Sequence, residues 1–366
     1  MHDPTQHDRP LRVGSLFSGY GGLDLAIEHA LGAETIWFSE INKHVARIFS
    51  HHWPDAPNLG DITTIDWRDV EPVDVLCGGF PCQEVSVAGR RAGLAPGTRS
   101  GLWTHMAAAI DVLQPELVVI ENVRGLLSTM AVRTPLEGDD DEHRDPDDAT
   151  PDPATLRNLE LDPWGLGDNA ARPLRAAGAV LGDLADLGMD ARWIGLPASA
   201  IGAPHPRFRV FILAHRILPD TGSDGCQARR GDGRSSSGSA GHYHVEPSAH
   251  RLCASRTGWL AEQASRAGDA VAPDRRHLHR WGRYAGAIAR WEHITGREAP
   301  APALLNLLNE GEGPRPAPEF VEWIMGLPAR WVTDPDHGLT QNQQITALGN
   351  GVVPLQASAA LALSMT

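Results

Sequence analysis

The 366-residue sequence predicts an α/β fold, a mostly parallel sheet with helices on both faces. Three observations predict it. Short apolar runs alternate with amphipathic stretches of about ten residues, the pattern of βαβ units. The apolar runs are nearly continuous, as in strands buried on both sides. Glycines or acids stand where several of those runs end, at the sheet edge where open α/β folds hold their ligands.

Residues 12–17 (RVGSLF) form the first strand, and GYGGLDLAIEHALG supplies a glycine turn and an amphipathic helix stopped at Gly32. TIWFSE (35–40) is a second strand ending in an acid, followed by a helix through Val45 and Phe49 and then NLGDIT (58–63). VDVLCGGF (73–80) is a strand, LWTHMAAAIDVL (102–113) a helix and ELVVIENV (116–123) another strand ending in an acid. The acidic run EGDDDEHRDPDDATPDP (137–153) has the composition of a solvated or disordered insertion. The pattern resumes with the helix AARPLRAAGAVLGDLADLG, the strand and loop DARWIGLPASAIG, and the strand RFRVFILAH (207–215). Residues 217–245 are polar and rich in Gly and Ser, and from there to 318 Arg, Trp and His interleave without a regular period. A compact tail follows, EFVEWIMGLPARW and then QITALGNGVVPLQASAALALS. There is no internal repeat.

Composition narrows the class. Hydrophobic residues make up 42% and charged residues 21%, ordinary for a globular protein long enough for two domains. No apolar run approaches the roughly 18 to 20 residues that span a bilayer. The start, MHDPTQHDRPLRVGSLF, is polar and acidic where a signal peptide is basic and then apolar, so a cytoplasmic protein is expected. Cys77, Cys82, Cys226 and Cys253 show no CxxC spacing, so neither a zinc site nor a disulfide framework is expected. The net charge of −14 speaks against a polyanionic partner until its distribution is examined. Residues 132–170 hold twelve Asp or Glu and three Arg, whereas 215–320 hold fourteen Arg against twelve acids, with seven His besides. Lys43 is the one lysine; every other basic side chain except histidine is Arg, which forks onto phosphates and guanine edges, although a coding bias toward Arg accounts for this equally well.

Four places carry candidate chemistry. FSGYGGLD (17–24) joins the first strand to the first helix, and its glycines let a ligand lie on backbone near the helix N-terminus; it lacks the GxGxxG spacing and a P-loop lysine. Glu40 ends the second strand, where an acid accepts ribose hydroxyls, and Asp61 can take an exocyclic amine; with the glycine loop they suggest an adenosine-containing cofactor. Cys82 follows Pro81 in GGFPCQEVSVAG, exposed by glycines at a strand's carboxyl end, where a thiolate nucleophile fits better than an inert core cysteine. Glu121, at the edge of an apolar sheet, has the setting of a carboxyl with a raised pKa. Arg207 and Arg209 stand at alternate positions entering a strand, so both guanidinium groups can reach one cleft.

The ordered set FSGYGGLD, Glu40, GDI, GGFPCQ, SGLW, ENV, PRFRVF and ALGNGVVP resembles the DNA (cytosine-5)-methyltransferase family, over about residues 11–130, 173–215 and 318–362. The resemblance implies a methyltransferase-type (Rossmann-like) mixed, mostly parallel sheet in a catalytic domain (1–215, with the insertion at about 132–170). It also implies a smaller, irregular target-recognition domain (216–318) and a carboxyl-terminal segment (319–366) that completes the catalytic one. It implies S-adenosylmethionine as methyl donor, held by Phe17, Gly19, Gly22, Leu23, Glu40, Ile41, Asp61, Ile62, Leu102, Asn350, Gly351 and Val352, with no metal. It implies catalysis by Cys82, Glu121, Arg209 and Arg207, supported by Pro81 and Asn122, on a cytosine swung out of double-stranded DNA. Gln83, Arg229, Arg230, Arg234, Arg275, Arg276, Arg280 and Arg283 are the expected DNA contacts, and a monomer the expected state, with a restriction endonuclease of the same specificity as a functional partner. Alternatives are a catalytically silent DNA-binding protein of the same fold and an RNA cytosine-5 methyltransferase. His205 departs from the family's usual Gln yet still donates a hydrogen bond, and the acidic run 137–153 is expected to face away from DNA. His277 and His279 stand too close together, with no cysteine near, for a convincing metal pair, and Trp259, Trp281 and Trp291 are expected to form a small core.

Overall fold

A six-stranded sheet organises the chain in a computed structural model that describes residues 9–81, 86–87, 101–128, 132–133, 175–217, 253–304 and 315–365. The elements are β1 (Arg12–Leu16), α1 (Gly22–Leu31), β2 (Glu34–Ser39), α2 (Lys43–His52), β3 (Val75–Gly78), α3 (Leu102–Leu113), β4 (Leu117–Val123), α4 (Ala176–Asp186), β5 (Met189–Pro197) and β6 (Phe208–Arg216). They continue as α5 (Cys253–Arg266), α6 (Arg275–Trp281), α7 (Ala285–Thr295), α8 (Pro318–Ile324), α9 (Gln341–Asn350) and α10 (Pro354–Met365). Two further two-residue strand pairs, Ser86–Val87 with Val132–Arg133 and Ala303–Leu304 with Arg315–Pro316, lie outside the main sheet.

The sheet order is β2-β1-β3-β4-β6-β5. The first four strands are parallel; β6 runs antiparallel to β4, and β5 antiparallel to β6. The four parallel strands therefore end together on one edge, where the loops after β1, β2, β3 and β4 gather.

Each face is sealed by one apolar cluster. On one side Trp103, Met106 and Ile110 of α3 and Val180 and Leu184 of α4 cover Leu76, Val118, Ile120 and Ile212. On the other, Leu23 and Ile27 of α1 and Ala357 and Leu361 of α10 cover Val75, Val119 and Phe211. Gln356, fully buried in α10, donates to the carbonyls of Leu196 (2.7 Å) and Arg207 (2.9 Å), which pins the tail onto β5 and the start of β6. By length and composition the run Gln341–Met365 could cross a membrane, yet 67% of its most apolar window is buried inside the fold.

In the segment between β6 and the tail the described residues hold α5, α6 and α7, joined by turns, and the strand pair Ala303–Leu304 with Arg315–Pro316. The start of α6 escapes the usual signature because its capping box pairs Asp274 with His277 rather than with Glu or Gln. Nor do its tryptophans stand alone. Trp291 is buried, and Trp259 and Trp281 pack on a third cluster that runs from Leu260, Ile288 and Trp291 through Trp323 and Trp331 to Phe38, Phe49 and Trp53 of the sheet layer.

Buried Glu28 of α1 ties the two regions together. It accepts from Thr35 N (3.0 Å), from Trp53 Nε1 (2.7 Å) and from Arg256 of α5 (3.0 Å), whose guanidinium also lies over the Trp53 ring.

Candidate active site

The loop after β1 makes the first wall of the site. Phe17 and Gly19 adopt positive φ (53° and 57°), and the turn ends at the unassisted N-terminus of α1, which has no side-chain cap. A helix start without a side-chain cap is in general a favourable place for an anion. Gly19 N–H donates to Glu40 (3.1 Å), whose other oxygen accepts from Asn42 N–H (2.8 Å). The strand-end acid is thus held in place by backbone. Asp61 caps a short 3-10 turn by accepting from Thr63 N–H (2.9 Å), which lowers its pKa and keeps it ionised. Ile41, beside Glu40, is 68% exposed, an apolar surface left uncovered at the cleft wall.

The second wall comes from β3, β4 and β6. Register explains its central pair. Val123 lies opposite Arg209 and Glu121 opposite Phe211, so Arg209 is the diagonal neighbour of Glu121 on one face. Arg209 Nε lies 2.6 Å from Glu121 Oε1, with both side chains largely buried. The N–H is not well aligned with that oxygen, so the contact is an ion pair more than a hydrogen bond. Burial pushes the Glu121 pKa up; the charges of Arg209 and Arg207 offset this only in part. A side chain at Gly79 would place its Cβ 3.0 Å from Glu121 Oε2, so glycine there lets the loop after β3 pass over the carboxyl. Buried Asn122 donates to the Phe80 carbonyl (2.9 Å) and accepts from Val123 N–H (2.8 Å), which fixes the chain one residue before Pro81.

The third wall is the tail. Tyr20 O–H donates to the Val352 carbonyl (2.6 Å), and Trp331 Nε1 donates to the Tyr20 carbonyl (2.9 Å). At Gly351 any Cβ would stand 1.8 Å from the Tyr20 ring, so the turn can dock only as glycine. Arg207 also belongs here. Its guanidinium donates to the carbonyls of Gly349 (2.9 Å) and Gly351 (2.6 Å), so it braces the turn instead of joining Arg209 over Glu121. His205 donates through Nε2 to the Ile324 carbonyl (2.9 Å), which gives it a tie to α8.

These walls enclose a cleft of about 560 Å³, and a side cavity of about 40 Å³ opens beneath the β1 loop. Phe17, Gly19, Gly79, Glu121 and Asn350 line both. Of the residues expected to hold a cofactor, Phe17, Gly19, Glu40, Ile41, Asp61, Ile62, Leu102 and Asn350 line the cleft, and Gly22, Leu23, Gly351 and Val352 line the side cavity. Pro81, Glu121, Asn122 and Arg209 share the cleft with them. The apolar walls, the two acids at strand ends and the volume fit an adenosine-containing group.

Cys82, Gln83, Arg229, Arg230 and Arg234, together with the acidic run 137–153, lie outside the described residues. Arg275, Arg276, Arg280 and Arg283 are exposed on and beside α6 and do not line the cleft. His277 contacts Asp274 and Glu292 through its two ring nitrogens (both 2.6 Å), an arrangement of carboxylates and not a pair with His279. Sequence reasoning missed Asp24 and Ser18, which line the side cavity; an acid on the inward side of an apolar helix was the available signal.

Residues 11–135 match the family model for C-5 cytosine-specific DNA methylases. Over that stretch, about a third of the chain, the sequence is similar to the methylase domain of that family. A curated relative, the orphan methyltransferase M.SPRI of Bacillus phage SPR, is 40% identical over 121 residues, 32% of this chain and 27% of its own length. A second, named a DNA N-6-adenine-methyltransferase, of Escherichia phage P1, is 37% identical over 133 residues, 33% of this chain and 18% of its own length. The methylase domain thus aligns with only a small part of these relatives. The crystal structure of the S. pombe Dnmt2 methyltransferase superposes with a TM-score of 0.51 at 16% identity, covering 97% of this chain and 98% of that one, a likeness of fold. The mixed, mostly parallel sheet with helices on both faces is the methyltransferase fold.

Proposed function

We propose that the protein transfers a methyl group from S-adenosylmethionine to carbon 5 of a cytosine in double-stranded DNA, giving 5-methylcytosine and S-adenosylhomocysteine. The observation that carries the reading is one cleft in which the Glu121–Arg209 pair and the chain leading to Cys82 face the Glu40–Asp61 wall. A sulfonium cofactor supplies an electrophilic methyl when bound. Glu40 would take its ribose hydroxyls, Asp61 its exocyclic amine, and Ile41, Ile62 and Phe17 would pack against its ring.

The remaining chemistry belongs to the chain's own groups. The Cys82 thiolate adds to ring carbon 6, which turns a poorly nucleophilic carbon 5 into an enamine carbon. Glu121, kept protonatable by burial, gives its proton to ring nitrogen 3 as charge develops there. Arg209 holds the base's carbonyl oxygen. After methyl transfer a base removes the carbon 5 proton, the electrons return to re-form the ring double bond, Cys82 leaves as thiolate and nitrogen 3 returns its proton to Glu121. The thiol cannot reach carbon 6 inside a stack, so the cytosine swings out, at a cost of a few kcal/mol. Arg275, Arg276, Arg280 and Arg283 on and beside α6 supply DNA contacts, with Gln83, Arg229, Arg230 and Arg234 adding others, and a restriction endonuclease reading the same sequence is the expected functional partner.

Expression in a host without cytosine methylation, followed by base-resolution mapping, tests this. New 5-methylcytosine in one sequence context, lost in Cys82→Ser, is expected. Modified adenine, or none, overturns the reading.

A further inference from the structure

Helix α6 has no buried residue, so little apolar packing fixes its place. Trp281 stacks on Phe320, with ring centroids 5.9 Å apart, and Arg280 donates to the Pro300 carbonyl (3.4 Å). The tie to α7 is His277, whose ring lies between two carboxyl groups. Its Nδ1 is 2.6 Å from Oδ1 of Asp274, the cap of the same helix, and its Nε2 is 2.6 Å from Glu292 Oε2 on α7. Asp274 accepts from His277 N–H (2.9 Å), which lowers its pKa to about 2 and keeps it ionised. Glu292 is held in turn, because its other oxygen accepts from Ala299 N–H (2.8 Å). A neutral imidazole has one N–H and one lone pair, so it cannot donate to both carboxylates. Separations this short belong to charge-assisted hydrogen bonds, whereas two facing lone pairs would repel. The geometry therefore calls for the doubly protonated ring. The hydrogen bond to Glu292 raises the ring's pKa above the ordinary 6.5; burial opposes this, and the contact with Asp274 adds to it. Once neutral, Nδ1 would instead accept from Asp274 N–H (3.2 Å), the return bond of the capping box, and the Asp274 carboxylate would be left to Arg276, 3.3 Å away.

We propose that His277 is a positioning residue for DNA: as an imidazolium clamped between Asp274 and Glu292 it holds α6 against α7 and keeps the arginines of α6 available to phosphate, so the affinity of this surface for DNA falls when the ring loses its proton. The proposal rests on the reading of Arg275, Arg276, Arg280 and Arg283 as DNA contacts. All four are exposed, as are the apolar Leu278 and Tyr284 among them. The protonated ring offsets one of the two carboxylates beside them. The neutral ring offsets neither, and Asp274 then competes with phosphate for Arg276. Among the described residues, Glu292 and Asp274 are the charged groups that act on the ring. The others on α6, on the turn Gly282–Tyr284 and on α7 have other settings. Arg280 lies over the Trp281 ring, Arg283 donates to the Tyr284 hydroxyl (2.6 Å), Arg290 runs beside Gly202, and His293 contacts Asp269 (2.7 Å). Arg275 and His279 are exposed. The clamp is complete below pH 6.5 and is lost as pH rises through the ring's raised pKa.

The test measures binding of a fluorescent mixed-sequence DNA duplex to the full chain at low salt, with histidine-ring NMR on the same protein. In the wild type the Kd should rise by about tenfold between about pH 6 and about pH 9, with its midpoint where the His277 ring titrates. His277→Gln keeps the capping box, where Gln is a usual third residue, but carries no charge, so its Kd should stay near the wild type's high-pH value and vary by less than about threefold. Glu292→Gln can still accept from Ala299 and removes one charge, so the ring's titration and the binding midpoint should move down together by about one pH unit. If His277→Gln does not fold, that joint shift decides alone. A pH dependence that survives in His277→Gln belongs to His279 or another histidine and overturns the proposal, as does a His277 ring that titrates at or below its ordinary pKa. If the wild type binds the duplex at no pH, the reading of these arginines as DNA contacts fails and the proposal falls with it; tight binding that ignores the His277 titration overturns the proposal alone.

Discussion

Arg207 separates two accounts of the site, and replacing it with Met distinguishes them. As a catalytic group, its loss would strike the rate. The structure instead shows one guanidinium nitrogen donating to two backbone carbonyls of the carboxyl-terminal turn. Charge-assisted hydrogen bonds contribute about 1.5 to 3 kcal/mol each. Because a single nitrogen makes both, and the side chain is only partly buried, the lower end applies and Arg207→Met should cost about 2 to 3 kcal/mol. Methionine keeps the aliphatic stem, so packing changes little. The turn being released carries Asn350, Gly351 and Val352, which line the donor side of the cleft. If that turn must be re-ordered by the ligand, 2 kcal/mol of the cost appears as a Kd for S-adenosylhomocysteine raised by about thirtyfold. The turnover number at saturating donor should stay within about threefold. Denaturant unfolding, calorimetry and single-turnover methyl transfer measure the three quantities. A variant with wild-type stability and donor affinity but a hundredfold slower methyl transfer would refute the bracing role.

Three further outcomes follow from the same geometry. Glu121→Gln keeps the side chain's shape but removes the proton, so methyl transfer in single turnover should fall by about 10² to 10⁴ with donor affinity unchanged; a rate within threefold would remove Glu121 from the chemistry. Asp24 has its pKa raised by burial, from 3.8 to about 7, so its contribution to stability is fully present below pH 3.8 and is lost as pH rises through about 7. Asp24→Asn should therefore gain on the wild type by up to about 4 kcal/mol between pH 4 and pH 8, in unfolding curves without ligand; a pH-independent difference would show that the carboxyl titrates normally. In Gly351→Ala the new methyl overlaps the Tyr20 ring, and unfolding should come about 2 to 3 kcal/mol earlier in denaturant; an unchanged midpoint would mean the turn is not docked there.

What the sequence disclosed depended on whether the signal was local. The strands of the parallel half were legible because burial on both faces writes itself as unbroken apolar runs, and α3 falls on the residues expected for it. Strand direction leaves no such mark. RFRVFILAH reads alike whichever way it runs, so the residue pattern pointed to a parallel sheet, and the antiparallel placement of β6 was implied only by family likeness. The Arg207–Arg209 pair shows the limit of period-two reasoning. The alternation begins at Phe208, where the strand begins, and Arg207 lies just before it, free to turn toward the tail. Asp24 was hidden for another reason: one acid on an amphipathic helix looks solvated until the strand it faces is known. The helices after residue 253 were obscured by arginines on their outer faces and by a capping box with an unusual third residue.

The cleft is a product of chain closure more than of any one motif. Its first wall begins at Phe17 and its third ends at Val352, and the contacts that join them run from Tyr20 to Val352 and from Trp331 to Tyr20. Those contacts sit on the same apolar cluster that takes in Trp53 and Trp291, and Arg256 on α5 reaches back to Glu28 of α1. The helices after β6 and the tail that closes the cleft are therefore anchored to one another through α1 and α2. The Glu28–Arg256 pair, the Arg256–Trp53 contact and the direct packing of α5 on α1 join those helices to the one whose first turn lines the side cavity.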